Sequence, residues 1–165
     1  MILERRKTKD LSRLAVARFA AKAQRAARLT GEINILLTSD AEIRQLNHQF
    51  RHKDKPTDVL SFPAAPGAHS RSKPLADKPL VGDIAISVST ARAQAAQMGH
   101  DLLTEVKVLI LHGMLHLAGH DHETDNGQMH RLELRLRTEL KLPAGLIERT
   151  TVAAPSPKPR TGRGR

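Results

Sequence analysis

The chain has 165 residues and no cysteine, which excludes a disulfide framework and any thiolate metal site. Its length suits one domain with a hydrophobic core and is short for two. The net charge of +10 is concentrated at the ends. Residues 1–28 carry nine basic and two acidic side chains, residues 151–165 carry four and none, and the body between them is close to neutral. Basic ends favour a polyanion such as nucleic acid, and with Phe19, Phe50 and Phe62 as the only aromatics such a contact is mostly electrostatic.

The opening MILERRKTKDLSR lacks the apolar run of a signal peptide, and no stretch approaches the ~20 apolar residues of a membrane span. A cytoplasmic protein that makes no membrane contact is the expectation. Residues 11–28 place Leu11, Leu14, Ala15, Arg18, Phe19, Lys22 and Ala26 at near-helical intervals, rich in alanine and free of Gly and Pro. This predicts an amphipathic helix with a basic outer face. Glu32–Thr38 reads as a strand, and Ser39 to Glu42 as a cap opening a helix to about Phe50.

Residues 51–57 read as a loop, Asp58–Phe62 as a short strand stopped by Pro63, and Pro63–Pro79 as a long flexible surface loop. Leu80–Val88 is the best strand in the chain. Ser89 or Thr90 is expected to cap a helix that Gly99 ends. Asp101 or Thr104 starts the next, Leu102–Leu117, with Val106, Leu109, Ile110 and Leu117 facing the core. Asp125 is read as the cap of a last helix to Leu140. Residues 1–150 are then one α+β domain with a small mixed sheet covered by helices, and residues 151–165 a disordered basic, Pro/Gly-rich tail.

The chemistry is concentrated in His112–His122, HGMLHLAGHDH. Histidines four apart on a helix stand about 5–6 Å apart at Cβ, so His112 and His116 can reach one metal ion. Gly119 offers a left-handed cap that lets the chain swing His122 back to the same ion. Three neutral nitrogens suit one Zn²⁺ at the end of a core helix, with the fourth position open, as in a catalytic site. His120 competes as a ligand, but it aligns with His116 only if the helix runs straight through Gly119.

The spacing H-x3-H-x2-G-x2-H is that of the metzincin peptidases, which need Glu directly after the first histidine as general base. Here Gly113 stands there, so peptidase chemistry of that type is disfavoured. A phosphodiester substrate needs cationic help for its developing charge, and Arg51, Lys53 and Lys55 precede the DVLSF strand. Asp121 and Asp83 are candidates to orient a ligand from behind, with a turn and a strand edge as their ordinary roles. Thr57 and Asp58 sit where a loop meets a strand. His48, His52, His69, His100 and His130 read as surface histidines.

His112–Glu123, Arg51–Pro63 (RHKDKPTDVLSFP) and Val81–Ile84 (VGDI) together resemble the signature segments of the YbeY family of bacterial endoribonucleases. The resemblance implies an α+β fold, zinc held by His112, His116 and His122, and a functional arginine at Arg51. It also implies cleavage of single-stranded RNA in maturation of the 3′ end of small-subunit rRNA, and a part in ribosome quality control. His116 and Arg51 are the residues expected to carry catalysis. The competing readings are a non-catalytic ribosome assembly factor with a structural zinc and a divergent metallopeptidase.

Overall fold

Most elements start where a small polar side chain can accept hydrogen bonds from the first turn of a helix. The computed structural model describes residues 2–4, 8, 10–65, 79–121 and 125–143. Within them run β1 (Ile2–Glu4), α1 (Arg13–Ala26), β2 (Glu32–Thr38), α2 (Asp40–Arg51), β3 (Val59–Pro63), β4 (Leu80–Ser87), α3 (Val88–Met98), α4 (Leu102–Leu117) and α5 (Gln128–Glu139). Ser12, Ser39 and Asp101 cap α1, α2 and α4 by accepting from the backbone three residues on. Asp125 serves α5 from two residues before its cap Gly127, accepting from the N–H groups of Gln128 and Met129.

The cap of α3 is neither Ser89 nor Thr90 but Ser87, the last residue of β4. Strand passes into helix with no loop, because the buried Ser87 hydroxyl accepts from Thr90 N and also meets the Asp40 carboxylate. Asp40 accepts from the Thr90 hydroxyl too, at 2.6 Å, which ties the start of α2 to the start of α3.

The sheet has the order β1-β2-β4-β3, with β1, β2 and β4 parallel and β3 antiparallel at one edge. The first strand is absent from the sequence reading. Three residues are too few to show a period, and Ile2–Glu4 is a strand only through its register with Ile35–Leu37.

One face of the sheet presents Ile33, Ile35, Leu37, Ile84 and Ile86 to α1 and α4. The other carries Leu36, Leu60 and Ala85 under Ile43 and Leu46 of α2. Helix α4 is the centre of the core. Val106, Val108, Leu109, Ile110, Leu111 and Leu115 are all fully enclosed, so it is buried nearly all round rather than along one stripe. Among the described residues no helix is long and apolar enough to cross a membrane. Of the loop expected over Pro63–Pro79, residues 66–78 lie outside the described residues, as does the whole of the tail expected over residues 151–165.

Candidate metal centre

The last turns of α4 lie against the edge of the sheet, and this fixes where its histidines point. The hydroxyl of Ser61 on β3 donates to the Gly113 carbonyl at 3.2 Å. A Cβ on Gly113 would meet Ile84 Cγ2 at 3.0 Å and Ser61 Oγ at 3.1 Å. The position after the first histidine thus faces the sheet, where any side chain presses on Ile84 and Ser61. With Gly113 turned inward, His112 and His116 share another side of the helix.

Their Nε2 atoms face one another at 3.1 Å, and the ring planes stand at 77°. Two Zn–N bonds of 2.0–2.1 Å at a tetrahedral angle hold their nitrogens roughly 3.3 Å apart, so the pair fits one such ion with little adjustment. His112 is buried, while His116 is partly open to solvent.

Behind the pair stands a residue that the sequence reading missed. Glu133, on α5 and buried, receives His112 Nδ1 on Oε2 at 3.0 Å. Its Oε1 accepts from Arg137 Nε and Nη2 at 2.8 and 2.5 Å, and Arg137 Nη1 donates to the Pro143 carbonyl. Burial alone would raise the Glu133 carboxyl. The hydrogen bond from His112 and the charges of His112 and Arg137 outweigh it and hold the group at about 2. An ionised carboxylate only accepts, so His112 Nδ1 is the donor of this bond and Nε2 is the ring atom turned to His116. This is the carboxylate–histidine arrangement that raises ligand basicity and fixes the ring.

The signal for Glu133 and Arg137 is present in the sequence. Met129, Glu133, Leu136, Arg137 and Leu140 fall at helical spacing, so two charges interrupt the apolar stripe of α5 as an i, i+4 pair.

Gly119 adopts φ +87° and ends the helix, with His120 N donating back to the Leu115 carbonyl at 3.1 Å. The helix does not run through Gly119, so His120 is not in line with His116. His122 lies outside the described residues. Among the described residues no group of three His, Asp or Glu side chains is placed to hold a metal. Asp121 adjoins the turn, its carbonyl accepting from Asp125 N at 2.9 Å.

Asp83 is not brought to the pair. Its neighbours Gly82 and Ile84 face α4, so by strand alternation Asp83 faces the other side, exposed and bonded by Asn34 Nδ2 at 2.9 Å. Arg51 closes α2 as an exposed residue beside Phe50, whose ring packs on Phe62 of β3 with centroids 5.1 Å apart. A Cβ on Gly82 would meet both the Phe62 carbonyl oxygen and Leu117 Cδ2. Arg51 thus follows a residue packed on β3, and His116 precedes a residue, Leu117, that approaches Gly82 of β4.

Thr57 and Asp58 have a structural role here. Asp58 accepts from Val59 N, the Thr57 hydroxyl and Gln94 Nε2, pinning the start of β3 to α3. His100 is not a free surface histidine, for its Nε2 lies 2.5 Å from the buried Glu105. His48 and His52 are exposed, His130 is half-buried, and His69 lies outside the described residues.

A family model described as endoribonuclease YbeY matches residues 2–141. The chain belongs to the YbeY endoribonuclease family. The endoribonuclease YbeY of Koribacter versatilis is 47% identical over 154 residues, covering 93% of this chain and 94% of the relative. That of Solibacter usitatus is 48% identical over 145 residues, covering 88% and 90%. In fold, the chain is similar to the solution structure of a protein from Thermotoga maritima, with a TM-score of 0.55 at 24% identity over 98% of this chain and all of that one.

Proposed function

We propose that this protein is a zinc-dependent endoribonuclease that cuts single-stranded RNA in the cytoplasm. Its substrate is precursor ribosomal RNA, matured at the 3′ end of the small-subunit species, with a part in ribosome quality control. Membership of the YbeY family supports the RNA substrate. The observation that carries the metal dependence is the convergence of His112 and His116 Nε2 in front of a carboxylate that commits His112 to ligation.

In this reading His112, His116 and His122 hold the ion. Zinc bound there supplies Lewis acidity and lowers the pKa of water, which meets the need for a nucleophile without a base at Gly113. Glu133 holds the His112 ring and its tautomer, and Arg137 keeps that carboxylate ionised. Arg51, which follows a residue packed on β3, supplies positive charge to the phosphodiester. The crowding at Gly113 counts against the peptidase alternative, since its base would press on Ile84 and Ser61.

The test is multiple-turnover cleavage of a single-stranded RNA by untagged protein, beside His116→Ala and Arg51→Ala. Cleavage lost in His116→Ala and restored to chelated wild type by zinc is the expected result. Equal cleavage by wild type and His116→Ala would overturn the reading. RNA binding with zinc bound but no turnover would favour the assembly-factor alternative. A 2′,3′-cyclic phosphate at the new end would assign attack to the ribose hydroxyl, and a 5′-phosphate would assign it to water.

A further inference from the structure

Some exposed cations of this protein are held by acids, and others, Lys53, Lys55 and Arg135 among them, form no ion pair among the described residues. What sets a patch apart is how many share one element. Arg44 is held by Asp54, with Nε at 2.7 Å from the carboxylate, and Arg92 by Asp10. Helix α1 differs. It carries Arg13, Arg18, Lys22 and Arg25 and no acidic residue. Arg13 donates to the Ile2 carbonyl at 2.6 Å. Arg18, Lys22 and Arg25, with Arg28 just beyond the helix, are exposed and form no ion pair among the described residues.

Steps of four and three residues put Arg18, Lys22 and Arg25 on one face, over about 10 Å of helix at 1.5 Å per residue. Like charges at i and i+4 oppose helix formation, so Arg18 and Lys22 repel each other until an anion lies between them. A bilayer surface is a poor match, because Leu14 is the one large exposed apolar side chain of α1 and an interfacial helix needs an apolar face.

This face is also separate from the histidine pair. Met114 of α4 lines a cavity shared with Ala17, Ala20 and Ala21 of α1, whereas His112 meets α5 at Glu133. The two positions differ by two residues, about 200° around the helix, so α1 and α5 flank α4 on opposite sides.

We propose that the outer face of α1, formed by Arg18, Lys22, Arg25 and Arg28, is a sequence-independent docking surface for the phosphate backbone of RNA, apart from the reacting centre. The proposal rests on the reading that the substrate is RNA. A contact of this kind adds affinity without touching the chemistry, so it acts on KM and leaves kcat alone.

The experiment uses the full chain carrying Arg18→Gln, Lys22→Gln and Arg25→Gln, exposed changes to a good helix former. Binding of a fluorescent single-stranded RNA is titrated in the His116→Ala background between 50 and 200 mM salt. At a log–log slope of about −0.7 per phosphate contact on single strands, losing three contacts makes the slope shallower by about 2 and lowers low-salt affinity roughly tenfold. With His116 intact, KM rises by a similar factor at unchanged kcat. The swap Arg18→Lys, Lys22→Arg, Arg25→Lys keeps wild-type affinity, which separates lost charge from a damaged helix.

An unchanged salt slope would overturn the proposal, as would an equal loss from Arg92→Gln, whose cation is already paired. Loss of binding to polyglutamate but not to RNA would also overturn it and assign the face to an acidic protein. RNA binding that depends on α1 in a wild type that cuts nothing would leave this proposal standing and sink the nuclease reading. Cleavage with binding indifferent to α1 would do the reverse.

Discussion

His112 Nδ1 and Glu133 Oε2 lie 3.0 Å apart although 21 residues separate them in the chain. That contact joins α4, at the centre of the fold, to α5, the last helix among the described residues. It also makes a buried acid on α5 responsible for the state of a ring on α4.

Replacing Glu133 should therefore have two effects that can be separated. Glu133→Gln weakens metal binding by about 10–100-fold, the usual effect of removing a partner behind a ligand, and competition with a chromophoric chelator measures it. It also strands the buried Arg137 charge, which costs about 3–5 kcal/mol in denaturant unfolding. The double change Glu133→Leu, Arg137→Met recovers most of that stability and none of the metal affinity. Full metal affinity in the double variant would show that the carboxylate does not orient His112.

Gly113 gives a steric prediction. Alanine there gains about 1 kcal/mol of helix propensity but presses on Ile84 and Ser61, and overpacking costs about 1–3 kcal/mol. Gly113→Ala is expected to lose about 1 kcal/mol net. Gly113→Glu, which rebuilds the peptidase motif, should fail to fold stably and show no activity on casein. A stable, casein-cleaving Gly113→Glu protein would contradict the packing described above.

Asp40 sets a pH dependence. Hydrogen bonds from the Ser87 and Thr90 hydroxyls hold its carboxyl below the ordinary 3.8. A depressed folded value means stability that is complete above the unfolded value and fades as pH falls through the folded one. The stability gap between wild type and Asp40→Asn should thus be flat above about pH 5 and shrink below the usual carboxylate range. Urea unfolding at a series of pH values checks this, and a gap that widens in acid would refute it.

A cavity of about 230 Å³ lies between α1 and the sheet, lined by Ile2, Ala17, Ala20, Ala21, Ile33, Ile35 and Met114. Ala20→Met places a flexible apolar side chain toward it without disturbing the helix. Thermal unfolding should show a gain of about 0.5–1 kcal/mol. A loss would mean that this space cannot accept a longer side chain from Ala20.

What could be read in the sequence follows the range of the interactions involved. Caps at Ser39 and Asp101, the end of α4 at Gly119 and the pairing of His112 with His116 act within one or two helical turns, so spacing reveals them. Ser87 was missed as a cap because it looks like the end of a strand, and its second role depends on Asp40, 47 residues away. Glu133 and Arg137 were missed because their burial is a property of how α5 docks. Asp83 stands out in the sequence as an acid in an apolar strand, yet pleating turns it to the far side of the sheet from the face that packs on α4.

The late position of Glu133 also has a consequence in time. A chain made from its N-terminus presents His112 and His116 before α5 exists, and until then nothing among the described residues holds the His112 ring in its working tautomer. The contact between His112 and Glu133 thus forms only after α5 has been made. A nascent chain carries both histidines well before it carries the carboxylate that fixes one of them.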